Sequence, residues 1–371
     1  MICKSFFECG GCILDMDYTS QLEYKIQTFQ NLFEYQLKKE EIFTSPTKGY
    51  RARAEFRLHR ENSKVYLSMN SYGKNNRIKI SSCPILLPIL QEKLSLLLDF
   101  INSVSIIEHK LYGVKILGSL NSEVIITLIY HKKLSQEWQD KANELSEKIN
   151  CHIIGRSRGQ KIIITQDFIN ETLQINHKKY FYIQKEGSFS QPNPFMNIQM
   201  IEFILSKLPE APQSDLLELY CGSGNFTLPI SKRFKKILST EIVKSAISTL
   251  QLNIKNNHIN NITPVRLSGL ETIEALSYKR DFFRLKNIDL KVFDFSHIFL
   301  DPPRNGISDI EMLQFIQNFE NIIYISCNPN SLKKDLEILL KTHSIKHQAI
   351  FDQFPYTHHL ECGFILNKNK L

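Results

Sequence analysis

The stretch Leu216-Leu-Glu-Leu-Tyr-Cys-Gly-Ser-Gly-Asn-Phe-Thr227 decides the fold. Its first four residues predict a buried β-strand. The Gly-x-Gly that follows predicts a tight turn into a helix, because glycine lets the backbone approach a ligand closely. Glu241 ends the next predicted strand, where nucleotide-type α/β folds place a ribose-binding carboxylate. The third glycine of the dinucleotide fingerprint is missing, so a ligand other than NAD is expected.

Strand-like and helical patterns alternate on both sides of this turn. The predicted strands are 216–219, 237–240, 297–300, 322–325 and 362–366, and the predicted helices are 198–208, 244–257, 308–320 and 330–342. This alternation predicts a mostly parallel, doubly wound α/β sheet. Together with the Gly-x-Gly turn and the acidic residue after it, the pattern resembles class I (Rossmann-like) methyltransferases, in which S-adenosylmethionine lies over the turn.

The part of the chain before this pattern reads differently. Short β-rich runs alternate with helical patterns near 88–103 and 134–149, which predicts a mixed α+β domain. Two prolines within Gln191-Pro-Asn-Pro interrupt regular structure. We therefore expect two domains: an N-terminal Cys cluster with an α+β domain over residues 1–185, and a methyltransferase domain over residues 186–371.

Charge and hydropathy limit the partners. Lys and Arg number 46 against 38 acidic residues, a net charge of +8 that suits a polyanion but is shared by many proteins with other partners. No apolar run is long enough to span a bilayer, and the N-terminus lacks the order of a signal peptide. A cytoplasmic location without membrane contact is expected, and the sequence assigns no protein partner.

Two polar motifs follow predicted strands, at the edge of the sheet where open α/β folds bind ligands. Asp301-Pro-Pro-Arg follows one strand, and its adjacent prolines fix the backbone. Ile325-Ser-Cys-Asn-Pro places Cys327 at the end of the next strand, where the loop presents functional groups. Cys327 is either a nucleophile or a buried structural cysteine, and both interpretations are open at this point.

A thiol at this edge suits the methylation of uracil at carbon 5, a carbon that is a poor nucleophile. Addition of a thiolate to carbon 6 gives carbon 5 carbanion character, and a base must later remove the carbon-5 proton. Glu361 in Tyr356-Thr-His-His-Leu-Glu-Cys could supply that base. Without the cysteine, an ordinary surface carboxylate would be the better interpretation.

Several ordered motifs together resemble the RNA uracil-5-methyltransferase family. They are Gln191-Pro-Asn, Leu217-Glu-Leu-Tyr-Cys-Gly-Ser-Gly-Asn-Phe, Asp301-Pro-Pro-Arg, Ser326-Cys-Asn-Pro and Phe351-Asp-Gln-Phe-Pro-Tyr-Thr-His-His-Leu-Glu-Cys. The resemblance covers roughly residues 20–368. It is closest to the tRNA (uracil-5-)-methyltransferases, which form ribothymidine in the T-loop. Ribosomal RNA uridine-5-methyltransferases are the alternative within the family. A non-catalytic RNA-binding protein or an amino-group methyltransferase would not need Cys327.

The resemblance implies a role for individual residues. Cys327 would be the nucleophile and Glu361 the base. S-adenosylmethionine would be bound by five residues: Gln191, Tyr220, Asn225, Glu241 and Asp301. The substrate would be the tRNA T-loop or another structured RNA.

Four cysteines depart from the tRNA pattern. Cys3, Cys9 and Cys12, with Gly-Gly between the last two, precede a distant Cys83. The arrangement resembles the iron–sulfur pattern of the ribosomal RNA enzymes and would suit a [4Fe–4S] cluster. Zinc is the competing metal, and a chance grouping among eight cysteines is the third interpretation.

The N-terminal domain carries a candidate RNA-binding strand. Arg51, Arg53 and Arg57 share one face in an alternating pattern, interleaved with Tyr50 and Phe56. Cations for phosphates and rings for base stacking are what RNA binding requires. A solvated basic face is the alternative.

Overall fold

Two large β-sheets organise the protein, which a computed structural model describes over residues 3–74, 76–210 and 214–370. The strands are β1 Ile42–Phe43, β2 Arg53–Glu61, β3 Lys64–Asn70, β4 Arg77–Ile80, β5 Leu111–Gly118, β6 Val124–Tyr130, β7 His152–Ser157, β8 Gln160–Ile163, β9 Phe168–Ile175, β10 Lys178–Lys185, β11 Asp215–Leu219, β12 Ile237–Thr240, β13 Ile262–Val265, β14 Phe295–Leu300, β15 Asn321–Ser326, β16 His343–Phe351 and β17 Glu361–Lys368.

The α-helices are α1 Tyr18–Phe33, α2 Pro88–Ser103, α3 Ser105–Glu108, α4 Gln136–Ile149, α5 Pro194–Lys207, α6 Thr227–Ile230, α7 Lys244–Asn256, α8 Gly269–Leu276, α9 Ile310–Ile316 and α10 Pro329–Leu339. None of the helices in the described part of the chain combines the length and the apolar character that crossing a bilayer demands.

The eight-stranded sheet runs in the order β1-β16-β17-β15-β14-β11-β12-β13. The five strands from β15 to β13 are parallel, and β17 runs antiparallel between β15 and β16. Every residue of β11 and β12 is buried, as in a sheet covered by helices on both faces. This arrangement confirms the Rossmann-like fold that the alternating pattern predicts.

Three strands of this sheet escaped prediction: β1, which is two residues long, β13 and β16. β13 contains a proline, which argues against a strand in a sequence but is tolerated here because β13 forms one edge of the sheet. β16 begins with polar residues, and only its last four residues are uniformly buried. These residues are buried where β16 pairs with β17 on one side and with β1, a strand about 300 residues earlier in the chain, on the other.

The seven-stranded sheet runs in the order β4-β3-β2-β5-β6-β7-β8 and is antiparallel except between β6 and β7. Helices α2, α3 and α4 lie over one face, where Leu90, Leu97 and Trp138 are buried in a common core with β2, β5 and β6. The alternation in β2 buries Phe56 and Leu58 against these helices and leaves Arg53 and Arg57 on the other face.

The chain does not divide cleanly at residue 185. Helix α1 packs near α10, and β1 extends the C-terminal sheet by pairing with β16, so residues 18–43 belong with the C-terminal domain. The β9–β10 hairpin packs against α5 and α7, and its residues Leu173 and Tyr182 belong to the same core as those helices. The composition changes near residue 185. Residues 18–43 and the β9–β10 hairpin precede that point, but both are buried by elements that follow it.

Candidate active site

The turn after β11 is shaped by its glycines. Gly222 and Gly224 have φ angles of +54° and +91°, in the region that favours glycine. A Cβ atom on Gly224 would lie 2.5 Å from Leu250 Cδ1, so a side chain there would force Leu250 of helix α7 to shift. Tyr220 also has a positive φ of 62°, and the backbone of this turn is therefore held in a shape that an ordinary loop would avoid.

Polar side chains then fix the turn. The Glu241 carboxylate accepts hydrogen bonds from Gly222 N at 3.3 Å and from Val243 N at 2.8 Å. Asn225 and Asn197 exchange amide hydrogen bonds at 2.7 and 2.8 Å. These bonds hold Glu241 and Asn225 next to the glycine turn before any ligand arrives.

A cavity of about 270 Å³ lies over this turn, and we call it the turn cavity. All five residues that the resemblance assigns to S-adenosylmethionine line it: Gln191, Tyr220, Asn225, Glu241 and Asp301. The combination of a concave apolar lining with a few fixed polar groups is typical of a small-molecule site. The residues present therefore fit a nucleoside with an amino-acid tail.

A second cavity of about 590 Å³ contains both predicted catalytic residues, and we call it the thiol cavity. Cys327 follows β15 and Glu361 begins β17. The antiparallel register pairs Ser326 with Cys362. The next position of the ladder therefore places Cys327 beside Glu361, at the ends of two adjacent strands. Gln191 and Phe189 line both cavities, which therefore meet at this segment.

The carboxyl groups between the cavities titrate far from their usual range. Burial, with a further contribution from Asp301, raises the pKa of Glu361 to about 8. Burial, followed by the charge of Glu218, raises the pKa of Asp301 to about 7. Burial also raises the pKa of the Cys327 thiol to about 11, and the neighbouring charges of Glu361 and Asp301 act in the same direction. Such shifts concentrate at functional sites.

The four N-terminal cysteines line the thiol cavity as well. Burial, and then the charges of the other three thiols, raises the pKa of Cys12 to about 12, and Gly11 N donates a hydrogen bond to Cys9 Sγ at 3.4 Å. The fold thus gathers Cys3, Cys9, Cys12 and Cys83, from segments far apart in sequence. Within the described residues, however, no group of three or more Cys, His, Asp or Glu side chains could hold a metal ion as it stands.

The predicted RNA contacts are only partly placed as expected. Arg51 lines the thiol cavity, with its guanidinium 5.8 Å from the Phe354 ring. Arg53 donates to the Ser190 carbonyl at 3.3 Å. Tyr50 is wrong as a stacking residue, because it is 1% exposed and its hydroxyl donates to Pro355 O at 3.3 Å. Phe56 is likewise buried, since the interleaved rings face the core beneath the strand.

Several residues of the two cavities were not assigned from the sequence. Glu218 is fully buried in the wall of the turn cavity, where its carboxylate accepts a hydrogen bond from Ser239 Oγ at 2.7 Å. A charged residue within an otherwise apolar strand was the signal for it. Arg304 and His359 line the thiol cavity, and Arg304 Nη2 lies 3.3 Å from His359 Nδ1. Asn197 gave no signal, because several other polar residues occur along helix α5.

Comparison with known proteins supports the same interpretation. A model of the tRNA (uracil-5-)-methyltransferase family matches residues 17–369. The chain is 45% identical to a tRNA/tmRNA (uracil-C(5))-methyltransferase of Helicobacter hepaticus, covering 100% of this chain and 99% of the relative. It is 43% identical to the enzyme of the same name from Acinetobacter baumannii, over 95% and 99% of the two chains.

A solved structure shares the fold. The tRNA (uracil-54, C5)-methyltransferase of Pyrococcus abyssi in complex with S-adenosyl-L-homocysteine superposes with a TM-score of 0.73 at 19% identity, covering 96% of this chain and 86% of that one. The family match and the full-length relatives confirm the resemblance seen in the motifs. The chain belongs to the tRNA (uracil-5-)-methyltransferase family of S-adenosylmethionine-dependent enzymes.

Proposed function

We propose that this protein methylates carbon 5 of a uridine in the T-loop of tRNA, through a covalent bond between Cys327 and carbon 6. The observation that carries the proposal is the placement of Cys327 and Glu361 on adjacent strand ends, in a cavity that meets the turn cavity at Gln191. A nucleophile and a base must act on neighbouring ring carbons, and this geometry brings both to one site.

S-adenosylmethionine, bound in the turn cavity by Tyr220, Asn225 and Glu241, supplies an electrophilic methyl group. Cys327 adds to carbon 6 as its thiolate, and the electrons of the 5,6 double bond make carbon 5 nucleophilic enough to take that methyl group. The bond between the methyl group and the sulfonium would break with its electron pair on that sulfur, which leaves S-adenosylhomocysteine. Glu361 then accepts the carbon-5 proton. The electrons of the broken C–H bond restore the double bond, and the sulfur leaves carbon 6 with its bonding pair. The thiolate is regenerated, and the proton remains on the carboxyl group.

The T-loop base must leave its stack to reach Cys327, at a cost of about a few kcal/mol. Arg51 and Arg304 line the cavity that would receive the base, so they are placed to contact the phosphates of the extruded nucleotide. The relatives are named as tRNA/tmRNA enzymes, which supports tmRNA as a second substrate. The ribosomal RNA alternative gains no better support, because relatives with the tRNA/tmRNA name match this chain over its full length.

The iron–sulfur cluster remains a separate proposal. Its support is that Cys3, Cys9, Cys12 and Cys83 line one cavity. Their arrangement as described does not fit a bound metal, and no catalytic step depends on a cluster. Anaerobic purification followed by iron, sulfide and zinc analysis tests it, with Cys83→Ala as the variant that should lose the metal. A metal-free anaerobic preparation would contradict the proposal. A cytoplasmic location also stays a prediction.

The covalent step is tested with tRNA that carries 5-fluorouridine, since fluorine at carbon 5 prevents the final elimination. An adduct stable in denaturing gels is expected with the native protein and with Cys151→Ala, which changes a buried cysteine that lines neither cavity. Cys327→Ala should give none, and an undiminished adduct in that variant would exclude Cys327 as the nucleophile. Labelled methyl groups should enter tRNA but not a tRNA whose target uridine is replaced by cytidine. Label found only in ribosomal RNA would contradict the substrate.

A further inference from the structure

Helix α1 carries a lysine that is buried far from solvent. Lys25 is 2% exposed, and its Nζ lies 2.5 Å from Oδ1 of Asp352, which is 0% exposed. Burial lowers the pKa of Lys25, and the charge of Asp352 opposes that shift. A fully buried lysine is rare unless it is paired, so this position calls for an explanation.

The pair belongs to a wider set of hydrogen bonds between α1 and the chain that links β16 to β17. Lys25 Nζ also donates to the Phe354 carbonyl at 2.9 Å. One turn earlier on the same face, Gln21 Nε2 donates to Asp352 Oδ2 at 3.0 Å, and Gln21 Oε1 accepts from Tyr356 N at 3.1 Å. Two side chains of α1 thus hold every second residue of the linking chain from 352 to 356.

The chain held in this way, residues 352–360, forms one wall of the thiol cavity and ends at Glu361. Its residues Phe354, Thr357, His359 and Leu360 line that cavity. Thr357 Oγ1 donates to the Phe354 carbonyl at 2.8 Å, which closes a turn just before the wall reaches Glu361. Lys25 and Gln21 therefore act on the cavity from behind, without touching it.

Stability alone does not account for the pair. Moving two charges out of water is costly, and apolar residues of similar volume often serve as well or better. An apolar contact could not, however, fix the directions of three separate polar groups on one loop. We propose that Lys25 is a positioning residue, which through Asp352 and Phe354 sets the place of the 352–360 wall and of Glu361 relative to Cys327. The inference rests on the proposed role of Glu361 as the base.

The test measures how much of the covalent protein–RNA intermediate accumulates in each variant, because this intermediate persists when proton removal is slow. Lys25→Met alone leaves the buried Asp352 carboxylate without its partner. A loss of activity in that variant would reflect impaired folding as well as a displaced 352–360 wall. The double variant Lys25→Met/Asp352→Leu removes both charges and keeps an apolar contact. Lys141→Met, which breaks an exposed ion pair with Glu144 on α4, is the matched surface control. Glu361→Gln sets the reference for a blocked base.

With unmodified tRNA and labelled S-adenosylmethionine, the folded double variant should accumulate methyl label in a protein–RNA adduct. Its kcat should fall roughly 10- to 100-fold, since displacements near 1 Å have such effects. The KM for tRNA should not change, because the pair is shielded from RNA. The proposal would be overturned if the folded double variant kept the wild-type kcat and accumulated no adduct, while Glu361→Gln did accumulate the adduct. Adduct in the double variant but not in Glu361→Gln would instead overturn the assignment of Glu361, and so the inference that depends on it.

Discussion

Glu361 and Asp301 are carboxyl groups at the same edge of the sheet, and the charge of Asp301 reinforces the effect of burial on Glu361. The pKa of Glu361 is raised to about 8 and that of Asp301 to about 7. At pH 7 Glu361 is therefore mostly protonated, although proton removal requires its anion.

The first prediction concerns the pH dependence of adduct breakdown. The rate should rise about tenfold per pH unit below 8 and level off above it, because only the ionised carboxylate of Glu361 accepts a proton. The methylated adduct is formed first and then diluted into buffers from pH 6 to 9.5, which separates this step from ionisation of Cys327. A rate that stays constant across that range would argue against Glu361 as the base.

The second prediction is a pH-dependent loss of stability. The pKa of Glu361 is about 8 in the folded protein, against 4.5 for an ordinary glutamate carboxyl group. The protonated group therefore contributes fully below pH 4.5, and its contribution is lost as the pH rises through 8. The shift corresponds to about 5 kcal/mol at most. Glu361→Gln should raise the melting temperature at pH 8.5 far more than at pH 5, and equal shifts at both values would contradict the burial effect.

The third prediction separates backbone strain from steric contact in the glycine turn. Gly224→Ala should lower the free energy of unfolding more than Gly222→Ala does, by about 1–3 kcal/mol, because only the former places a methyl group against Leu250. Both variants share the cost of a left-handed backbone, about 1–2 kcal/mol. Urea unfolding measures the difference, and equal losses would mean that α7 moves away at little cost.

The fourth prediction distinguishes an RNA contact from a core residue. Arg51→Gln should weaken tRNA binding and reduce the slope of log K against log salt by about 1, as the loss of one phosphate contact requires. Tyr50→Phe should leave both unchanged, since the Tyr50 ring is buried. Titrations at several salt concentrations provide the measurement, and a weaker complex in Tyr50→Phe would place that residue at the interface after all.

Local sequence was enough to predict the elements whose pattern is contained in residues adjacent in the chain. The strand from 216 to 219, its glycine turn and Glu241 are continuous in the chain, and Cys327 and Asp301 follow strands whose apolar runs are evident. Tyr50 and Phe56 show the limit of this approach. Alternation predicts a strand, but helices α2 and α4 decide which face is buried. Lys25 gave no signal, because its partner Asp352 is supplied by the far end of the chain.

That long separation has a consequence for synthesis. Asp352 is synthesised 327 residues after Lys25 of helix α1, and strand β16 directly precedes Asp352. The strands of the seven-stranded sheet pair with strands close in sequence, so this sheet can form first. Helix α1 cannot dock until β16 and Asp352 have been made. Helix α1 is thus made before the seven-stranded sheet but meets its partners after that sheet can form. A nascent chain that stops before β16 keeps Lys25 without its carboxylate, so α1 can dock in full only after the segment through Asp352 has been made.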